Sequence, residues 1–183
     1  MRSGMFFTAL TLASMVGCGP KTSGPVALDA PAQAAVVGLV APMDGEVVQP
    51  LPDRVSSRLD ALLTARNLTP RPVTDGAADL SRLQTTGQRA AWLAEQADGA
   101  QYLLLIESAA TYTTQIEGRF RWTVDVTATI APASDPAAGA SKTFRVPVFL
   151  QFAHQKEAAA VAEAAVVIER QVGQHLDQWL SGR

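Results

Sequence analysis

Few side chains in this 183-residue chain could perform acid–base, nucleophilic or metal chemistry. The two histidines, His154 and His175, do not have the spacing of an H-x-x-x-H zinc motif, and the nucleophile motif Gly-x-Ser-x-Gly and phosphate-binding glycine loops are absent. The carboxylates Asp44, Glu46 and Asp53 are close in sequence, but turn and helix-capping roles explain them. Because an enzyme needs positioned acid–base or nucleophilic groups, the sequence predicts a non-enzyme without catalytic, metal-binding or cofactor-binding residues.

The remaining reactive side chain is the sole cysteine, Cys18, which follows a segment typical of protein export. Arg2 supplies a positive charge, residues 5–16 form an apolar run, and the sequence becomes polar from Lys21. The apolar run is too short to cross a bilayer comfortably. The sequence therefore predicts a signal peptide over residues 1–17 that directs the chain out of the cytoplasm.

The residues that end this segment, Met15-Val16-Gly17-Cys18, resemble a bacterial lipobox, although leucine is more usual where Met15 stands. In proteins with this motif, a peptidase cuts before the cysteine, and the cysteine sulfur carries a diacylglycerol. The resemblance implies lipid attachment at Cys18, and Gly19, where an aspartate would resemble a retention signal, implies the outer membrane. Two alternatives stay open: an unmodified thiol, and ordinary signal cleavage near Ala32-Gln33-Ala34.

The composition indicates one domain on a spacer. Residues 18–33 are rich in Gly, Pro, Ser and Ala and predict a flexible tether, whereas residues 34–183 are long enough for a single domain with one core. The net charge of −2 at pH 7 indicates no basic face, so nucleic acid is not a predicted partner. With one cysteine the chain has no internal disulfide, and packing must stabilise the domain.

Apolar periodicity predicts the element order β-α-β-α-β-β-β-α. The clearest strand is at residues 119–130, where apolar and polar side chains alternate strictly after a hairpin turn at Glu117-Gly118. Such alternation is typical of an antiparallel sheet with one face in water. Two prolines make residues 69–74 a weak edge strand. The predicted class is α+β: a mixed, largely antiparallel sheet of about five strands with helices packed on one face.

Three amphipathic helices are predicted, over residues 53–67, 79–97 and 155–180. Asp53 is the expected N-cap of the first helix, and Arg66 lies off its apolar stripe and is expected to be solvated. The last helix is expected to pack on the sheet of its own domain, because the apolar sheet face needs a cover.

Residues 97–105, Ala-Asp-Gly-Ala-Gln-Tyr-Leu-Leu-Leu, resemble the junction between a helix end and an apolar strand in a group of small periplasmic α+β domains. These domains belong to the curli-secretion channel lipoprotein, the outer-membrane lipoprotein activators of penicillin-binding proteins, and the N-terminal part of the Tol–Pal translocation protein. Here Gln101 replaces the usual acid before the tyrosine, and Glu107 stands where a glycine often ends the strand. The resemblance covers roughly residues 36–180 and implies the fold more than the partner.

These features together predict a lipid-anchored protein-binding module on the periplasmic face of the outer membrane. Its expected partners are the membrane, through the lipid on Cys18, and an envelope protein of cell-wall synthesis, secretion or transport, for which it would be an accessory subunit or regulator. One alternative is a structural subunit that assembles into an outer-membrane ring. Another is a periplasmic hydrolase or ligand carrier, which would need a deep pocket with convergent polar groups.

Overall fold

The computed structural model describes residues 24–41, 48–73, 77–83 and 85–182, so Cys18, Asp44 and Glu46 lie outside the described residues. A short 3-10 turn, Pro136–Ala138, precedes the last strand. In chain order the strands and helices are β1 (Ala32–Ala41), β2 (Gln49–Pro50), α1 (Asp53–Thr64), β3 (Leu68–Val73), α2 (Ala77–Arg82), α3 (Thr86–Ala97), β4 (Tyr102–Ile116), β5 (Arg119–Pro132), β6 (Ala140–Leu150), α4 (Glu157–Glu163) and α5 (Ala165–Ser181).

The strands form one mixed sheet in the order β2-β1-β4-β5-β6, with β3 also paired to β1. Strands β3 and β4 run parallel to β1, whereas β4, β5 and β6 form an antiparallel meander. The predicted α+β class with a mixed sheet is confirmed. The sheet has six strands where the sequence predicts about five, because Gln49–Pro50 pairs briefly with the end of β1. The proline-containing β3 pairs with one strand, as expected for an edge.

Helices α1, α4 and α5 cover the first face of the sheet and enclose the larger hydrophobic core. Leu59 of α1, Val161 of α4 and Ile168 of α5 are each at most 1% exposed. Burying an aliphatic side chain of this size contributes about 1.5–3 kcal/mol, so this layer supplies much of the stability. The buried β5 side chains in this core are Trp122, Val124, Val126, Ala128 and Ile130.

Helices α2 and α3 lie on the second face, against β1 and β4, where Leu80 and Leu93 are buried. Helices therefore cover both faces of this half of the sheet, whereas the sequence predicts them on one face. The reason is that residues 103–106 of β4 are buried on both sides, and a strand that is apolar on both sides needs two covering layers. Over β5 and β6, the second face presents mostly polar side chains to solvent.

The predicted helix over residues 79–97 is two helices, α2 and α3. Thr85 starts the second one, since its hydroxyl accepts a hydrogen bond from the Gln88 backbone N–H at 3.3 Å. The Gln88 side-chain oxygen accepts in turn from the Thr85 N–H at 3.4 Å. This reciprocal capping box satisfies two amides that a helix start leaves free, and it therefore fixes a helix boundary inside the predicted helix.

Two other helix boundaries differ from the predictions. The long terminal helix is interrupted at Ala164, which caps both the end of α4 and the start of α5. At the start of α1, Pro52 occupies the N-cap position, and Asp53 is the first helical residue. An acidic residue in the first turn still interacts favourably with the positive end of the helix dipole. Asp53 therefore stabilises the start of α1 from the first helical position, one residue after the N-cap.

The hairpin between β4 and β5 is closed by Glu117 and Gly118, as predicted, with φ angles of 48° and 77°. We expect Gly118→Ala to lower the free energy of unfolding by about 1 kcal/mol, because alanine is strained in the left-handed region. Gly87, in the first turn of α3, is a matched control: a Cβ at either glycine meets no atom within 4 Å. Gly87→Ala should instead raise the free energy of unfolding by about 0.5–1 kcal/mol. Urea denaturation measures the free energy of unfolding of each variant. Changes of the same sign in the two variants would contradict this account.

Candidate functional site

The two histidines cannot act together, because they lie at opposite ends of β6. His175 is buried, and its Nε2 lies 3.1 Å from the carbonyl oxygen of Ala140, where β6 begins. His154 follows the other end of β6, is exposed, and stacks on Phe152 with ring centroids 5.5 Å apart. Within the described ranges, no three His, Cys, Asp or Glu side chains are grouped so that they could hold a metal ion.

A candidate interaction surface lies at the end of the β4–β5 hairpin, residues 110–123, which we call the hairpin tip. Strand β1 pairs with β4 as far as Ala109, and in the described residues β4 continues beyond that point with β5 as its only strand neighbour. A register shift between Tyr112 and Thr114 marks a β-bulge in this extension. Bulges bend and twist a strand, so the tip turns its side chains away from the flat sheet.

Large exposed hydrophobic side chains are concentrated around the hairpin tip. Of the five in the described part of the chain, Tyr112, Ile116, Phe149 and Phe152 lie on the tip or at the adjoining end of β6, and they are 43%, 41%, 45% and 56% exposed. Tyr112 packs edge-on against Trp122, with ring centroids 5.8 Å apart. By strand register Ile116 and Phe149 lie on the second face, opposite Arg119 and Arg121 respectively, whereas Tyr112 lies on the first face opposite Trp122. Exposed apolar side chains that share one face, and are not scattered, mark an interaction surface.

Two arginines lie on the second face of the hairpin tip, beside Phe149. Arg121 is directly opposite Phe149 in the β5–β6 register, and Arg119 is two residues before it on the same face. Neither guanidinium forms an ion pair with a carboxylate of the described residues, and the Nε of Arg121 is buried there without a hydrogen-bond partner. The second face of the tip therefore combines Ile116 and the ring of Phe149 with two cations that have no described carboxylate partner.

Further along the same face, Arg145 is paired and serves as a comparison. Its Nε donates to Asp125 Oδ1 at 2.6 Å, and a second bond joins its Nη2 to Oδ2 at 3.3 Å. The hydrogen bond with the Asp125 carboxylate, and then the negative charge of that carboxylate, raise the pKa of Arg145 above its ordinary value. Because the guanidinium of Arg145 is already bound to Asp125, the arginines of this face that could bind a partner's carboxylate are Arg119 and Arg121 at the hairpin tip.

The second face also has a shallow concavity of about 290 Å³ between α3 and strands β4 to β6. Its polar groups largely satisfy one another. Arg89 forms an ion pair with Glu107, and the hydroxyl of Thr127 lies 3.0 Å from that of Thr143. A ligand would have to compete with these contacts, so the concavity is a weaker candidate for a site than the hairpin tip.

No protein-family model and no curated protein matches the chain. Among solved structures, it is similar to a hypothetical protein from Chlamydia trachomatis, with 10% identity over 84% of this chain and 100% of that one, at a TM-score of 0.48. It is also similar to a lipoprotein from Neisseria meningitidis, with 13% identity over 79% and 99% of the chains, at a TM-score of 0.40. A third is the PelC dodecamer from Paraburkholderia phytofirmans, with 18% identity over 80% and 91%, at 0.39. At these low values the likenesses assign neither a family nor a function.

The sequence-based site, Cys18, lies outside the described residues, so its lipidation remains a prediction. None of the helices in the described ranges combines the length and apolar composition that a membrane-spanning helix requires. The hairpin tip was not predicted as a site. Its available signal was the pair Tyr112 and Ile116 within an otherwise polar run of β4.

Proposed function

We propose that this chain is a lipid-anchored protein-binding module of the bacterial cell envelope, held on the periplasmic face of the outer membrane. The observation that carries this proposal is the position of Cys18, the sole cysteine, directly after the apolar export segment. Each acyl methylene buried in the bilayer contributes about 0.8 kcal/mol, and two or more chains anchor a protein stably. The domain then acts as an accessory subunit or regulator of an envelope complex and performs no catalysis itself.

The docking surface in this proposal is the second face of the hairpin tip with the adjoining end of β6. Exposed large apolar side chains provide contact area, and Ile116 and Phe149 lie on this face beside the arginines. Arg119 and Arg121 favour a partner that places carboxylates opposite them, because complementary charge speeds association and fixes its register. The partner is therefore a protein segment that carries both apolar and acidic side chains.

Site-specific photo-crosslinking in intact cells tests this proposal. A benzophenone amino acid at Ile116 or Phe149 is expected to capture one and the same envelope protein. Val166 on α5 is a matched control, since it is also apolar and 50% exposed but lines the groove between α5 and α1. Exchanging Arg119 and Arg121 for glutamate should reduce capture from Phe149 about tenfold, because attraction between charges becomes repulsion.

The outcomes separate the proposed role from its alternatives. Equal capture from all three positions, or capture that the arginine exchange does not reduce, would contradict docking at the hairpin tip. Crosslinks between copies of this chain alone would instead favour the self-assembling ring subunit.

A further inference from the structure

The segment before β1 is fastened to the domain by backbone hydrogen bonds. The N–H of Val26 donates to Asp177 Oδ1 at 3.1 Å, and the N–H of Leu28 donates to the Arg66 carbonyl at 3.1 Å. The carbonyl of Leu28 accepts from Asn67 Nδ2 at 2.7 Å. We call these five residues the N-terminal clasp. They join the incoming chain to the C-terminal ends of both α1 and α5.

An almost buried ion pair lies at the centre of the N-terminal clasp. The Nε and Nη2 of Arg66 donate to the two carboxylate oxygens of Asp177, each at 2.8 Å, and Nη1 donates to the Leu62 carbonyl at 2.9 Å. Gly173 makes room for this arrangement, because a Cβ there would be 3.2 Å from Arg66 Nη2. A guanidinium with three oxygen partners in a planar fork holds a defined geometry, so the attachment point of the incoming chain is fixed.

The N-terminal clasp and the hairpin tip lie at opposite ends of the sheet. The clasp lies where β1 begins, and parallel pairing places Ala34 of β1 beside Tyr102, the first residue of β4. The tip is at the other end of β4, which has 15 residues. At about 3.3 Å per residue, β4 separates the two ends by about 46 Å.

The chain between Cys18 and Val26 is short. It spans eight residue steps, and a fully extended chain covers at most about 3.6 Å per step, so Val26 lies within about 29 Å of Cys18. This reach is smaller than the length of β4. A lipid on Cys18 therefore restrains the end of the domain that carries the clasp far more closely than the end that carries the hairpin tip.

We propose that the surface around the N-terminal clasp, formed by the C-terminal ends of α1 and α5, faces the phospholipid headgroups, and that the hairpin tip points away from the membrane. This inference rests on the lipid anchoring in the proposed function and adds the orientation of the anchored domain. Because the clasp holds the incoming chain at one end of the domain, the lipid on Cys18 gives the domain a preferred orientation on the membrane. The proposed docking surface is thereby presented to partners located away from the membrane surface.

Paramagnetic relaxation in vesicles tests the orientation. Lipidated full-length mature protein carries one nitroxide, at Ala65→Cys beside the clasp or at Gln115→Cys on the hairpin tip, in phosphatidylethanolamine vesicles with nickel-chelating lipids. Both positions are exposed, and acylated Cys18 does not react with the label. Relaxation by the surface nickel falls steeply with distance, so we expect it to be several-fold stronger at position 65. Equal relaxation, or stronger relaxation at position 115, would overturn the inference.

A clasp-release variant tests the cause of the orientation. Val26→Pro together with Leu28→Pro removes two N–H donors and leaves the Arg66–Asp177 ion pair in place. The difference between the two label positions should shrink in this variant and persist in the control Ala27→Pro, whose N–H has no hydrogen bond in the described structure. A full difference in the released variant would show that the clasp does not orient the domain.

Vesicle flotation of the same samples distinguishes a failure of the lipid anchor from a failure of the proposed orientation. Protein that does not float with the vesicles contradicts the lipid anchor itself, and the orientation falls with it. Protein that floats but shows no difference between the label positions contradicts the orientation alone.

Discussion

Replacing Cys18 with alanine is expected to abolish lipid attachment to this chain and leave an unlipidated precursor. The substitution removes the one sulfur that could carry a diacylglycerol. A chain without acyl groups loses about 0.8 kcal/mol of membrane-binding free energy for each methylene that would enter the bilayer. Summed over two acyl chains, this loss lowers the membrane partition coefficient by many orders of magnitude. Metabolic labelling with a palmitate analogue and the mass of the protein measure the effect: we expect an unlabelled precursor that keeps residues 1–17.

Met15→Leu is the matched control for this prediction. Leucine is the more usual lipobox residue at that position, so the variant should keep both the label and the membrane association. Cys18→Ala protein that still carried the palmitate label would show that lipid is attached elsewhere, and the anchoring proposal would be wrong. Cys18→Ala protein that floats without label agrees with the account, because the uncut precursor keeps the apolar residues 5–16.

The second large effect is expected at the N-terminal clasp, where Asp177→Ala should lower the free energy of unfolding by about 3 kcal/mol. The side chain of Arg66 is 9% exposed, and without Asp177 its charge remains in the protein without its carboxylate partner. Removing one member of such a pair costs more than the pair itself contributes. Urea denaturation of the mature chain, with Cys18→Ala to avoid detergent, measures the loss.

Asp125→Ala is the control, because it breaks an aspartate–arginine pair whose side chains are 41% and 71% exposed. An exposed pair contributes little, so no resolvable change is expected there. Combining Arg66→Met with Asp177→Ala should recover much of the loss, since no buried charge is then left unpaired. Equal losses for Asp125→Ala and Asp177→Ala would contradict the assignment of Arg66–Asp177 as the energetically important pair.

The parts of the fold that local patterns determine could be predicted from the sequence. Strict alternation along β5 gave the correct inward face, because a strand repeats every two residues and a slip would expose Trp122. The hairpin at Glu117 and Gly118 followed from turn chemistry. Placing β3 as an edge strand followed from its prolines, which cannot donate ladder hydrogen bonds.

Features that depend on distant residues could not be predicted in this way. Arg66 lies off the apolar stripe of the predicted helix over residues 53–67 and was expected to be solvated, but it is 7% exposed, so that prediction is wrong. Its partner Asp177 is 111 residues away, and no local periodicity reveals such a pair. The helix over residues 79–97 was predicted, but on the same face as the others, although the doubly buried β4 required a cover on both faces.

The candidate site was missed for a related reason. In the described residues β1 pairs with β4 no further than Ala109, and the exposed Tyr112 lies beyond that point. The pairing of two strands separated by a helix-containing connection is a property of the fold. Alternation predicts which face of β4 and β5 each side chain occupies. It does not predict how far the helices and neighbouring strands extend along that face, which decides whether an aromatic ring belongs to a core or to a surface.

The mass of the mature N-terminus, measured on protein extracted from membranes, tests the central claim most directly. We expect a chain that begins at Cys18, lacks residues 1–17, and carries the added mass of a diacylglyceryl group and a further acyl chain. A chain that retains residues 1–17 with a free thiol, or one that begins near Ala32-Gln33-Ala34 without lipid, would contradict the account.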